Sequence, residues 1–279
     1  VIKSVQGAKG IFPSFRSWFQ DGLHDVKFGL RRYDLAATFG WQDVAQSYRR
    51  SRVGAFWLTI NMGVLIGALG LIFGTLFRAP MDVFLPYLCV GLIVWGFISS
   101  CINDGCSVFT NSGGIILQVK MPMFTHVMRV IWRNFITFLH NLIIYPLVFL
   151  VFGKVPTLTS FLAVFGLVIV VLNVAWIMLI LATVCARFRD LTQIVQNIMQ
   201  VAFYATPLMW FPTTLPTDVG HWLLTLNPFY HLVLIVRSPL LGEAPSLASW
   251  VVGLLLILVG WVVAIAFFGR FHRRIAYWL

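Results

Sequence analysis

Charge is scarce in this chain. Asp, Glu, Lys and Arg make up 10% of 279 residues, and only nine of them are carboxylates, where an ordinary soluble domain carries roughly 25% charged residues. So few acids leave little for general acid–base pairs or oxygen-ligated metals. Cysteine is also sparse: Cys89, Cys101, Cys106 and Cys185 fall inside apolar stretches and form neither a CxxC metal pattern nor a disulfide framework. The phosphate-binding loop GxxxxGK[ST] is missing, since Gly153-Lys154 runs on into Val155 without the earlier glycine, and HExxH and GxSxG are missing too. No catalytic residue is expected, no metal and no cofactor in this chain; ATP and Mg, if used, belong on another polypeptide. The first residue is Val1, so an initiator Met is expected upstream, and no cleavable-signal pattern opens the chain.

What fills the space is apolar: 59% of residues are hydrophobic and the mean hydropathy is +0.89. No single water-soluble core hides that much apolar surface, so the fold class expected is all-α and polytopic, covered by lipid. Six stretches are long enough to span: residues 54–77, 84–110, 129–152, 159–186, 191–211 and 247–269. Together they make a transmembrane domain over 54–269, with a cytoplasmic or interfacial segment over 1–53 and a tail over 270–279. A seventh stretch, 219–236, is broken by Asn227-Pro228. Proline removes a backbone donor and disfavours helix in the residue before it, so two short re-entrant elements are expected there.

Basic residues set orientation, because Lys and Arg are retained on the cytoplasmic side. With six spans and both ends cytoplasmic, seventeen of the twenty fall inside and three, Arg78, Lys154 and Arg237, outside. The net charge of +11 therefore reads as topology and anionic-lipid attraction rather than nucleic-acid binding. Before the first span, Leu23, Val26, Leu30, Tyr33 and Ala37 recur at steps of 3 and 4, an amphipathic helix lying along the headgroups. Gly40 is expected to punctuate it, with a second stripe from Trp41 to Tyr48.

The residues from Tyr48 to Trp57, in the order Tyr-Arg-Arg-Ser-Arg-Val-Gly-Ala-Phe-Trp, resemble the YR-x-S-x-LG-x-x-W approach to the first span in type-2 ATP-binding-cassette export permeases of the polysaccharide branch. Val53 stands where Leu is usual. Arg187-Phe188-Arg189-Asp190, then Thr206-Pro207-Leu208-Met209-Trp210, then Asn227-Pro228 are similar to the same branch in order and spacing, and the likeness covers about residues 30–279. It implies a homodimer bound to two ATP-binding-cassette ATPase subunits in a bacterial inner membrane. Its substrate would be an undecaprenyl-pyrophosphate-linked polysaccharide, with O-antigen export as the nearest subgroup and capsule and teichoic acid export as neighbours. An integral membrane glycan or lipid transferase, with His221, His231 and Asp218 as its nearest approach to a site, and an ion-coupled carrier resting on Asp104 are the readings from other classes.

Three groups of candidate residues follow. For coupling to an ATPase, the exposed cytoplasmic pieces are the segment with Gly113, Gly114, Leu117, Gln118, Val119 and Lys120, the turn from Arg187 to Asp190, and, by resemblance, the stretch with Arg49 and Arg50. In the bilayer, Asp104 lies nine residues before Gly113 and Arg133 eleven after Pro122, at equal depth on antiparallel neighbours. An isolated charge in hydrocarbon is costly, so Asp104 is expected near Arg133 or Arg129, and the competing reading has these arginines attract the substrate pyrophosphate. For the translocation path, Gln193, Asn197, Gln200 and Tyr204 recur at steps of 4, 3 and 4 with Gln196 beside them, and Trp57 and Asn61 share a face of the first span. Amides suit sugar hydroxyls and aromatic faces suit the C–H faces of sugar rings; interhelical hydrogen bonding uses the same residue types. Pro207 is expected to bend the outer end of the fifth span near a gate containing Asn227 and Pro228.

Overall fold

The computed structural model describes residues 15–48, 54, 56–214 and 222–279, all of whose regular elements are helical. Arg49 and Arg50, His221, Asp218 and the opening of the 219–236 stretch lie outside the described residues. Two helices come first, α1 (Phe15–Arg31) and α2 (Tyr33–Tyr48), followed by α3 (Phe56–Leu76) and α4 (Met81–Gly105). Two short pieces, α5 (Val108–Asn111) and α6 (Gly113–Gln118), lead to α7 (Met123–Leu142) and α8 (Ile144–Val151). Then come α9 (Leu162–Arg187), α10 (Leu191–Ala205), α11 (Pro228–Leu240) and α12 (Leu247–Trp278).

Among the described residues, five stretches are long and apolar enough to cross a bilayer: α3, α4, α7 with α8, α9 with the turn before it, and α12. The fifth sequence-expected span is different. α10 has 15 residues, about 22 Å by helix rise, short of a hydrocarbon core of about 30 Å. It stops at Ala205 because Pro207 pushes Thr206 into extended backbone (φ −92°, ψ 133°). Proline also explains the break at Ile143: Pro146 lacks the N–H that would bond Leu142, so α7 and α8 part there. The 32-residue α12 runs without interruption through Arg270, Arg273 and Arg274 to Trp278, so the stretch read as a tail continues the helix.

α4 is the hub. It is buried along most of its length and packs on α3, α7, α8, α9, α10 and α11. Small residues set the other crossings, as membrane bundles require. A Cβ on Gly166 would meet the Ile235 carbonyl of α11, and Gly260 lies under the Trp176 ring. The outward faces stay apolar, with Val64 and Leu71 on α3, Phe165 on α9 and Leu258 on α12 all exposed, a surface suited to a lipid environment.

The amphipathic segment folds as two helices meeting at Arg32 rather than one, and Gly40 lies inside α2 instead of ending a helix. The buried face is Gly22, Asp25, Val26 and Gly29 in α1 and Ala36, Gly40 and Val44 in α2; Leu23, Leu30 and Tyr33 are exposed. The glycines decide this. A Cβ on Gly269 of α12 would collide with the Trp18 carbonyl of α1, and one on Gly40 would lie 2.8 Å from the Arg129 carbonyl of α7. Backbone-to-backbone contact, invisible to a hydrophobic pattern, turns the helices.

Candidate translocation path and coupling surface

α10 carries the candidate path. Gln193, Gln196, Asn197, Gln200 and Tyr204 are all exposed, and Met199 alone on this helix is fully buried. The hydrogen bond within the stripe runs from Gln193 Nε2 to Asn197 Oδ1 at 3.3 Å. On α3, Trp57 and Asn61 are exposed as well, and both helices rest on α4. An amide moved from water into an apolar phase without partners costs roughly 2–7 kcal/mol. Four of them in one row therefore do not face lipid chains; water, a second protein surface or a polar cargo must meet them.

The C-terminal end of α10 is fastened at several points. Trp95 of α4 packs against Phe203 at 5.9 Å and against Phe229 of α11 at 5.6 Å between ring centroids. Beyond Thr206, the Pro207 carbonyl accepts from the Tyr87 hydroxyl at 2.8 Å and from Arg237 Nη1 at 2.6 Å. The Arg237 guanidinium lies 3.9 Å from the centroid of the Tyr87 ring. Asn227 bridges the same region. Its Nδ2 donates to Thr206 Oγ1 at 3.0 Å while its Oδ1 accepts from the backbone N–H of Phe229 and Tyr230, so it caps α11, with Pro228 in the first turn. Pro207, Asn227 and Pro228 are thereby brought to one point. Arg237 is 2% exposed between α11 and α4; a lone Arg in an apolar run gave no sign of this clamp.

The intramembrane charges divide between two carboxylates. Arg133 Nη2 donates to Asp104 Oδ2 at 2.7 Å, and Asn134 Nδ2 reaches the same oxygen at 2.9 Å. Arg129 goes elsewhere, to Asp43 of α2, in a two-pronged pair at 2.7 and 2.5 Å. Both arginines therefore neutralise protein carboxylates. Asp43 and Asp25 were missed in the sequence, because nothing local marks which acid a folded-back helix will present.

The coupling candidates also gather. Gly113 is buried and Gly114, Leu117, Gln118, Val119 and Lys120 are exposed on and after α6. A Cβ on Gly113 would lie 3.7 Å from that of Leu279. Arg187, at the end of α9, places its guanidinium 5.6 Å from the Trp278 ring, and Asp190 immediately precedes α10. The end of α12 thus touches both candidate surfaces. Across the described residues, no group of three or more His, Cys, Asp or Glu is placed to hold a metal.

The bundle with its amide-lined helix defines a multi-pass membrane protein of the transport class. Residues 35–241 match the ABC-2 type transporter family, and the chain belongs to it. Similar proteins include an O-antigen export system permease protein RfbA of Myxococcus xanthus, 25% identical over 193 residues that cover 69% of this chain and 74% of the relative. Another, of the same name from Klebsiella pneumoniae, is 23% identical over 252 residues, 88% of this chain and 94% of the relative.

Proposed function

We propose that this chain is the permease subunit of an ATP-driven exporter that moves an undecaprenyl-pyrophosphate-linked polysaccharide, O-antigen, across a bacterial inner membrane. It works as a homodimer with two ATPase subunits, with both ends cytoplasmic and α10 plus the bent segment after it serving as the fifth of six spans. α11 and the turn before it then form the re-entrant gate. The observation that carries this reading is the exposed amide row on α10, which no lipid phase accommodates and which a second copy facing it across a polymer would satisfy. Neutral amides exchange hydrogen bonds with successive sugars without fixing a charge, so a chain slides instead of being trapped. The relatives named for O-antigen export supply the cargo class.

Substitution of Gln193, Asn197 and Gln200 together by leucine tests it. The expected result is loss of surface O-antigen with dimer assembly and ATPase co-purification unchanged. Undiminished export by the triple variant would overturn the assignment of the stripe to the path.

A further inference from the structure

A groove of about 830 Å³ is lined by side chains from α1, α2, α7, α9 and α12. Its two long walls run from Phe124 to Phe135 on α7 and from Val164 to Ala175 on α9, with Trp261 of α12 between them. Each wall covers about 16 Å by helix rise, close to the roughly 15 Å of one leaflet in a core about 30 Å thick. The lining is apolar apart from the edges of Tyr33 and the tryptophans, and none of it comes from α3, α4 or α10. A groove that shares no wall with the amide-bearing helix is not on the way of a cargo.

The third wall is the α1–α2 elbow, through Val26, Leu30 and Tyr33. Beside these residues stand Lys27, Arg31 and Arg32, all exposed. Arg129, Arg133 and Arg273 each have a carboxylate, whereas these three cations take part in no ion pair among the described residues. Apolar slot and unpaired positive charge meet at the elbow that the sequence places at the headgroup layer. We propose that the groove holds the acyl chains of an anionic glycerophospholipid whose phosphate is bound by Lys27, Arg31 and Arg32, so that a membrane lipid fastens the interfacial helices to the bundle.

Native mass spectrometry of the purified full chain, loaded with dioleoyl phosphatidylglycerol or dioleoyl phosphatidylcholine, tests this. Each basic side chain near a membrane surface strengthens anionic-lipid binding about fivefold, so the unaltered chain retains phosphatidylglycerol in preference by about a hundredfold. The Lys27→Gln/Arg31→Gln/Arg32→Gln variant loses the preference, and Val168→Trp, which fills the groove from an exposed wall position, loses retention of both lipids. A measurement needing no altered elbow uses phosphatidylglycerol with brominated chains, which quenches tryptophan fluorescence by an amount that falls in Trp261→Phe. Equal retention of the two lipids by the unaltered chain, retention unchanged by Val168→Trp, or quenching unaffected by Trp261→Phe each overturns the proposal. So does displacement of phosphatidylglycerol by equimolar undecaprenyl phosphate, which would give the groove to a cargo lipid.

Discussion

Asp25 is the most exacting place to perturb the attachment of α1 and α2 to the bundle. Its carboxylate is buried and accepts the backbone N–H of Met123 at 3.0 Å and of Phe124 at 2.9 Å, while His272 Nε2 donates to it at 3.1 Å. The first turn of α7 has no side-chain cap of its own, since its N-cap is Pro122, so a residue nearly a hundred positions earlier supplies one. Asp25→Ala leaves two buried donors without an acceptor, at about 1 kcal/mol each at the low end of the usual range. It also removes a negative charge from a helix N-terminus, about 0.3–1 kcal/mol more. The expected loss is about 2.5 kcal/mol. Asp25→Asn retains one acceptor but turns an amide NH2 toward the other donor, and should lose about half as much. His272→Ala should lose less than about 1 kcal/mol, because that imidazole is partly exposed. For a chain of this size these are shifts in Tm of about 5–10 °C for Asp25→Ala and half that for Asp25→Asn, read by thermal melting in detergent micelles. Limited trypsin digestion gives the second readout: cleavage at Lys27 and Arg31 should quicken in Asp25→Ala as α1 opens. A melting point within 1 °C of the unaltered chain, or equal losses for Ala and Asn, would refute the capping argument.

Three further outcomes are expected. Asp104→Arg and Arg133→Asp should each lose about 1.5–3 kcal/mol of stability, and the double reversal should recover most of it apart from the Asn134 bond; a double variant as poor as the singles speaks against the pair. Gly269→Leu should separate α1 from α12 at a cost of at least 1–3 kcal/mol by overpacking, while Gly114→Ala, which meets nothing within 4 Å, should melt with the unaltered chain; equal melting points for the two variants would count against the close crossing. Cysteine placed at Gln118 or Val119 should crosslink to the ATPase subunit in an assembled, active complex, and complete absence of crosslinks would remove α6 from the coupling surface.

Hydropathy and depth reached far into this structure, and their reach has a physical limit. The apolar runs marked the long helices because lipid demands about 20 apolar residues in a row, and Asp104 and Arg133 meet because equal depth on antiparallel neighbours leaves opposite charges few other partners. Arg129 escaped that logic. Its depth also suited Asp104, but α2 lies back along α7 and presents Asp43 first, a tertiary event with no local trace. The protein-facing side of these helices had no hydrophobic mark: Gly22, Gly29 and Gly40 let backbones touch, while Leu23, Leu30 and Tyr33 stay exposed. α10 was overextended because apolar Leu208 to Phe211 reads as helix, while Pro207 denies the backbone it needs.

The end of α12 connects observations that otherwise stand apart. Its last turns meet α1 through Gly22 and Gly269, through Asp25 with His272 and through Asp21 with Arg273. They meet α6 beside Gly113, and Arg187 lies over Trp278. A force applied at α6 or at the Arg187–Asp190 turn is therefore not confined to a loop; it acts on one uninterrupted helix of about 48 Å that packs along α9. α10 begins directly after that turn with its amides exposed and is clamped at the far end by Trp95, Asn227, Tyr87 and Arg237. A helix held at one end and driven at the other pivots about the held end. In the proposed exporter that motion widens the path at the amide stripe while the gate residues stay anchored, and separating the two is what a long polymer requires, since the channel must open along its length before its exit yields.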